Sequence, residues 1–202
     1  MLFIRYFLFL SLFISQSALS GTLLVLGDSL SAGYGIQPSQ GWVALLKKRL
    51  KQEYPDIRVI NASISGETTD GGVSRLPELI EEHRPDWILI ELGANDGLRG
   101  TPIPLIEENL SGLISMTQDS GAKPLLIGMR LPPNYGPRYT EQFFTMFSTL
   151  SEQREITLVP FLLEGVALDP TLMQSDGLHP NEKAQPILLE TVWVGLTTLL
   201  ED

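Results

Sequence analysis

The 202-residue chain is long enough for one domain with a substantial core and short for two domains of ordinary size. Apolar residues make up 43% of the sequence and charged residues 19%, which is typical of a globular protein and excludes a disordered or fibrous one. A formal net charge of -10 offers no basic surface for nucleic acid, and the absence of cysteine excludes disulfides, thiolate metal sites and a thiol nucleophile.

The first 20 residues, MLFIRYFLFLSLFISQSALS, have the layout of a secretory signal peptide. Arg5 precedes a mainly apolar block at 6–14, which is well short of the roughly 20 residues that span a bilayer. We therefore expect cleavage near Ser20 and Gly21 and no stable membrane anchor afterwards; an uncleaved N-terminal anchor is the alternative. The prediction is a signal peptide over 1–20, a domain over 21–202 and a periplasmic location, with full secretion left open.

Five short apolar runs alternate with longer segments along the rest of the chain. Near-continuous apolar runs are typical of parallel strands that are buried on both faces. The predicted strands cover 22–26, 57–61, 87–92, 125–129 and 157–160.

The segments between these runs carry apolar residues at helical spacing. Thr101 is predicted to cap the third of these helices, with Pro102 at its first position. Strands that alternate with helices predict a single three-layer α/β/α domain with a five-stranded parallel sheet in the flavodoxin-like order 2-1-3-4-5. The helical stripes are Trp42, Leu46 and Leu50; Val73, Leu76 and Ile80; Ile106, Leu110 and Leu113; Phe143, Phe147 and Leu150; and Leu188, Val192, Leu196 and Leu199.

Polar, glycine-containing loops follow the predicted strands. Because the carboxyl ends of parallel strands meet at one edge of an open sheet, these loops are expected to converge there and form a site. They cover 27–29, 63–67, 93–96, 129–136 and 175–180.

Three side chains in these loops have the chemistry of a nucleophilic triad. A serine hydroxyl needs a base to remove its proton, and a histidine needs a carboxylate on its other ring nitrogen. Ser29 is the candidate nucleophile, His179 the base and Asp176 the orienting acid. The other histidine, His83, ends a predicted helix at the opposite edge of the sheet.

Acyl transfer also requires donors for the oxyanion that forms on the attacked carbonyl. The Ser29 amide, the Gly66 amide and the Asn95 side chain are the candidate donors. Each of these signals has a structural alternative: Ser29 as an N-cap, Asp176 as a turn residue, 95–97 as an Asx turn and Gly66 as a positive-φ residue. Arg130 is expected to be a solvated arginine, and contact with substrate is the alternative. We prefer catalysis because all the structural alternatives would have to hold together at one sheet edge.

Two other hydrolase types fit less well. The sequence around Ser29 lacks the last glycine of the G-x-S-x-G nucleophile elbow. A metal-dependent phosphoesterase would need more carboxylate and imidazole ligands than this edge offers.

Four ordered blocks resemble those of the GDSL esterase/lipase family, also called SGNH hydrolases. The stretches GWVALLKKRL, NASISGETT, ELGANDGLRG, LPPNYG and DGLHP further resemble a subgroup of periplasmic bacterial esterases within it. The blocks are Gly27-Asp28-Ser29-Leu30-Ser31, Gly66 after Asn61-Ala62-Ser63, Gly93-x-Asn95-Asp96, and Asp176-x-x-His179-Pro180.

The resemblance implies a serine hydrolase that cleaves acyl esters and thioesters through an acyl-enzyme, with no cofactor and no metal. It implies the same triad and oxyanion donors as the residues themselves. We expect Leu98, Leu131 and Pro132 to border the acyl group, small-molecule substrates with lysophospholipid foremost, and a monomer. A carbohydrate O-acetyl esterase and a catalytically idle binding protein on the same fold are the alternatives.

Overall fold

The computed structural model describes residues 19–201, in which five parallel strands form one sheet between two layers of helices. The predicted signal peptide lies outside these residues apart from its last two. Neighbouring strands pair in the order β2-β1-β3-β4-β5, which confirms the predicted α/β class and strand order. The strands are β1 (Gly21–Gly27), β2 (Ile57–Asn61), β3 (Trp87–Glu91), β4 (Lys123–Ile127) and β5 (Thr157–Val159).

Helices cover both faces of this sheet. The described residues contain α1 (Ser29–Ala32), α2 (Trp42–Glu53), α3 (Thr69–His83), α4 (Ala94–Leu98), α5 (Ile103–Asp119), α6 (Pro137–Arg154) and α7 (Gln185–Glu201). Helices α2 and α7 pack together on one face, and α3, α5 and α6 pack in sequence on the other. Two single-turn 3-10 helices, Pro38–Gln40 and Pro133–Tyr135, lie in connecting segments. Within residues 19–201, no helix combines the length and apolarity needed to cross a bilayer.

The core lies on both sides of the central strands, as the apolar runs predict. Every residue of β3 is buried, and β1 is fully buried from Leu23 to Leu26. The predicted helical stripes face this core; Trp42, Leu46 and Leu50, for example, are completely buried in α2. Burial of each large apolar side chain contributes about 1.5–3 kcal/mol, so these stripes fix how the helices sit on the sheet.

Several predicted strand ends are shifted by one or two residues: β1 extends to Gly21 and Gly27, β3 and β5 each end one residue earlier, and β4 ends at Ile127. Strand β4 begins two residues early because Lys123 and Pro124 pair with Trp87 and Ile88 of β3, although neither continues the apolar run. Helix α5 begins at Ile103, so Pro102 occupies the cap position that we predicted for Thr101. None of these shifts moves a residue of the predicted site to another edge of the sheet.

Candidate active site

The first loop places Ser29 at the start of a helix directly after the end of β1. Asp28 is the N-cap of α1, and its side chain accepts a hydrogen bond of 3.0 Å from the Leu30 amide. Ser29 is therefore the first helical residue, and the alternative that it is the cap is wrong. Its own amide lies at the positive end of this short helix, where backbone N–H groups have no partner within the helix.

The structure brings the three predicted triad side chains into hydrogen-bond contact. Nε2 of His179 lies 2.9 Å from Oγ of Ser29, and Nδ1 of His179 lies 2.7 Å from Oδ2 of Asp176. The proton can therefore pass from the serine to one ring nitrogen while the carboxylate holds the other. His83 ends α3 at the opposite edge of the sheet, as expected.

Asp176 forms a turn and also orients the histidine. Its Oδ1 accepts hydrogen bonds from the backbone amides of Leu178 and His179, at 2.9 and 3.0 Å. Partial burial raises the pKa of Asp176, but hydrogen bonds from the His179 backbone and ring and from Leu178 outweigh it, and the pKa falls to about 2. The carboxylate thus stays ionised at neutral pH, which is what an imidazolium partner requires.

Tyr34, which sequence reasoning missed, packs its ring against that of His179. The two ring centroids lie 4.6 Å apart, with the planes tilted by 40°. The Tyr34 amide donates a hydrogen bond of 3.0 Å to the Ser29 carbonyl, which connects this residue to the nucleophile as well.

The two remaining candidate donors lie next to the Asp28–Ser29 segment, Gly66 in a loop and Asn95 in a short helix. Gly66 has a φ of +83°, the left-handed conformation that glycine adopts without strain. Asn95 belongs to the helix α4, so the alternative Asx turn at 95–97 is wrong. The Asn95 Nδ2 atom donates to Oδ2 of Asp28 and to the Glu67 carbonyl, both at 2.9 Å, and so holds the two loops together. To donate to an oxyanion, Asn95 Nδ2 would have to share one of these two hydrogens with the substrate.

Asp28 is a buried carboxyl beside the predicted catalytic groups. Burial raises its pKa to about 6, against the lowering effect of the Leu30 amide, the nearby His179 and the Asn95 side chain. The sequence predicted neither the Asp28 cap of α1 nor the hydrogen bond between Asp28 and Asn95.

A cavity of about 630 Å³ opens beside Ser29, Asn95 and His179. The three residues predicted to border the acyl group, Leu98, Leu131 and Pro132, all line it. Sequence reasoning missed its other wall, which comes from the long segment between β5 and α7. The stretch 161–168 is mainly apolar but contains Glu164. That wall includes Phe161, Leu163, Ala167, Leu168, Met173 and Leu178.

Arg130 also lines this cavity and contributes the only lysine or arginine side chain among the residues described around it. Its guanidinium carbon lies 3.4 Å from the centre of the Phe144 ring and 5.9 Å from that of Phe161. An arginine stacked in this way keeps the N–H groups at the edge of its plane available for an anion.

The side chains at this edge suit acyl transfer better than metal binding. Among residues 19–201, no three histidine, aspartate or glutamate side chains come together as metal ligands would. A serine, a histidine and an ionised aspartate in series provide a nucleophile, its base and the group that orients the base.

The chain matches the GDSL-like Lipase/Acylhydrolase family over residues 25–186. It belongs to this family. Esterase TesA of Pseudomonas aeruginosa is 52% identical over 187 residues, which cover 93% of this chain and 93% of that protein. Thioesterase 1/protease 1/lysophospholipase L1 of Escherichia coli strain K12 is 45% identical over 184 residues, covering 91% of this chain and 87% of that protein.

The fold agrees with that of a solved family member. The crystal structure of TesA matches with a TM-score of 0.86 and 53% identity over 88% of this chain and 99% of that one. The predicted ester hydrolase of the GDSL type is thus confirmed, and so is the resemblance to the subgroup of bacterial esterases.

Proposed function

We propose that this GDSL hydrolase cleaves acyl esters and thioesters with Ser29 as nucleophile, His179 as base and Asp176 as orienting acid. The observation that carries the proposal is the continuous series of hydrogen bonds from Ser29 Oγ through both nitrogens of His179 to Asp176. Ser29 and His179 of this series line a largely apolar cavity, where an acyl group would bind.

The geometry accounts for each step of such a reaction. His179 Nε2 takes the hydroxyl proton while Ser29 Oγ attacks the carbonyl carbon, and the carbonyl oxygen becomes an anion. The Ser29 amide, the Gly66 amide and the Asn95 side chain are the proposed donors to this oxyanion. His179 then protonates the departing alcohol or thiol, and a water molecule activated by the same base hydrolyses the acyl-enzyme.

The cavity favours long acyl chains over acetyl groups. Leu98, Leu131 and Pro132 line one part of it and the segment between β5 and α7 the other, so an alkyl chain would be removed from water along its length. An O-acetyl esterase acting on carbohydrate would gain little from this apolar volume.

Arg130 supports a substrate whose alcohol portion carries a phosphate. The stacked guanidinium offers a planar set of donors that matches a phosphate group. Export through the predicted signal peptide would bring the enzyme to lysophospholipids rather than to cytoplasmic thioesters. We therefore propose lysophospholipid as the foremost substrate. We also propose a periplasmic location and a monomer that is not anchored in the membrane. Cell fractionation tests the location and the absence of an anchor, and light scattering tests the monomer.

Hydrolysis of nitrophenyl esters of increasing chain length tests the proposal. Ser29→Ala should lower kcat by at least about 10³-fold. Ser151→Ala removes a buried serine hydroxyl on α6 that does not line the cavity, and it should react like the unsubstituted enzyme. Rates should rise from acetyl to longer acyl esters. Wild-type rates in Ser29→Ala would exclude the serine mechanism, and a marked preference for acetyl esters would favour the O-acetyl esterase.

A further inference from the structure

Glu91 is a completely buried carboxyl that the proposed mechanism does not use. It is the last residue of β3, the central strand, and pairs in register with Gly27 at the end of β1. A Cβ atom at Gly27 would lie 2.8 Å from Glu91 Oε2 and 2.8 Å from the Ser31 side chain. Only glycine at position 27 therefore leaves room for the Glu91 carboxyl beneath the loop that carries Ser29.

One oxygen of Glu91 contacts the chain on both sides of Ser29. Its Oε2 accepts a hydrogen bond of 2.6 Å from the Ser31 hydroxyl and one of 3.3 Å from the Asp28 amide. Helix α1 has only four residues, too few for a helix to be stable by itself in water. The conformation of Ser29 must therefore come from such tertiary contacts.

The two neighbouring carboxyls differ in their hydrogen bonds, and this distinguishes their charge states. Asp28 accepts a hydrogen bond on each oxygen, from the Leu30 amide and from Asn95, as a carboxylate does. Glu91 Oε1 is buried without a hydrogen-bond partner among the described residues. Burial, and next the charge of Asp28, raise the pKa of Glu91 well above its ordinary value. The raised pKa favours the neutral form of Glu91 and leaves the negative charge of the pair on Asp28.

We propose that Glu91 is a positioning residue whose carboxyl accepts hydrogen bonds from the Asp28 amide and the Ser31 hydroxyl, and thereby fixes Ser29 and its amide for reaction. The inference rests on the proposed role of Ser29 as nucleophile. Glu91 does not touch the reacting atoms; it acts through Asp28 and Ser31, which lie on either side of Ser29. A displacement of about 1 Å in a reacting group is enough to cost about 100-fold in rate.

Two substitutions separate the shape of this side chain from its charge. Glu91→Gln keeps a neutral group with an acceptor oxygen and should retain kcat within about threefold. Glu91→Met fills a similar volume without an acceptor and should lower kcat about 10- to 100-fold while KM stays within about threefold. A purely structural role would not produce this selective loss of kcat in a folded protein, nor its rescue by glutamine.

Ser31→Ala gives a second route to the same answer should Glu91→Met fail to fold. It removes one donor to Glu91 and should lower kcat about three- to tenfold without changing KM, because the Asp28 contact remains. Ser151→Ala, which removes another buried helix hydroxyl, is the matched control and should have no effect on kcat.

Labelling of Ser29 by an alkyl fluorophosphonate tests the nucleophile role of Ser29 separately from the positioning role of Glu91. Mass spectrometry measures the rate of labelling. Labelling of Ser29 in the unsubstituted enzyme, with slower labelling in Glu91→Met and Ser31→Ala, is the expected result. No labelling of Ser29 in the unsubstituted enzyme would overturn the proposed nucleophile. Normal labelling and kcat in folded Glu91→Met would overturn the role of Glu91 alone, as would equal losses in Glu91→Gln and Glu91→Met.

Discussion

The side-chain amide of Gln174 donates a hydrogen bond of 2.8 Å to the Tyr34 carbonyl, although 140 residues separate the two in sequence. The Tyr34 backbone amide in turn donates to the Ser29 carbonyl, and the backbone amide of Gln174 donates to the His179 carbonyl at 2.7 Å. The loop that carries the base is thus connected to the nucleophile by backbone and amide contacts as well as by the triad itself. An isolated antiparallel bridge between Met173 and Pro180 closes this loop, and the Gln174 and Tyr34 contacts help to set the position of His179.

Gln174→Ala is therefore expected to lower kcat about tenfold with a small change in KM, since His179 would lose alignment while the cavity wall remains. Steady-state kinetics on a nitrophenyl ester measures the effect. Gln118→Ala is the matched control, because Gln118 also donates from its side chain to a backbone carbonyl, that of Arg154, away from the cavity. Equal kinetics in the two variants would show that the Gln174 contact does not position the base.

The strands and the long helices could be predicted because burial on a sheet imposes a pattern on the sequence. Continuous apolar runs predicted all five strands, and apolar stripes predicted the five long helices with their buried faces. The convergence of Ser29, Asn95 and His179 also followed, because the carboxyl ends of parallel strands meet at one edge. Only the chemistry of a few residue types was needed to predict which side chains matter there.

The short helices and the buried carboxyls could not be predicted in the same way. Helices α1 and α4 have four and five residues, little more than one turn, so they carry no periodic signal. Glu91 ends an apolar run, and its burial depends on the space left by Gly27, which only the paired register of β1 and β3 reveals. The cavity wall after β5 depends on tertiary contacts of an irregular segment, which have no simple spacing in the sequence.

Arg130 provides a test of the substrate class. Arg130→Gln is expected to lower kcat/KM about tenfold for an acyl glycerol phosphate, which corresponds to about 1.4 kcal/mol, through loss of a charged hydrogen-bond donor. A monoacylglycerol with the same acyl chain, which lacks the phosphate, should be hydrolysed with unchanged kcat/KM.

Arg138→Gln is the control for this measurement, because it removes the same charge from an exposed position at the start of α6 that does not line the cavity. If Arg130→Gln reduced hydrolysis of both substrates alike, the stacking of Arg130 on Phe144 would stabilise the cavity wall, and Arg130 would not recognise the phosphate.

The raised pKa of Glu91 predicts how the stability of the protein depends on pH. Burial and the charge of Asp28 raise the pKa of Glu91 well above its ordinary 4.5 in the folded protein, whereas the unfolded chain has the ordinary value. The folded state thus holds a proton that the unfolded state releases. This contribution to stability is fully present below about pH 4.5 and is lost as the pH rises towards the folded pKa, by at most about 1.4 kcal/mol per pH unit.

Glu91→Gln removes this proton from both states, so its free energy of unfolding relative to the unsubstituted protein should increase from pH 5 to pH 7. Asp28, whose pKa of about 6 in the folded state acts in the same direction, is present in both proteins and cancels to first order. Urea unfolding at several pH values measures the difference, with Glu108→Gln on the exposed face of α5 as the control that should show no such trend. A difference that does not change with pH would mean that Glu91 binds its proton no more tightly in the folded protein than in the unfolded chain. The carboxyl under Ser29 would then be charged at neutral pH, and the single negative charge assigned to the Asp28–Glu91 pair would be wrong.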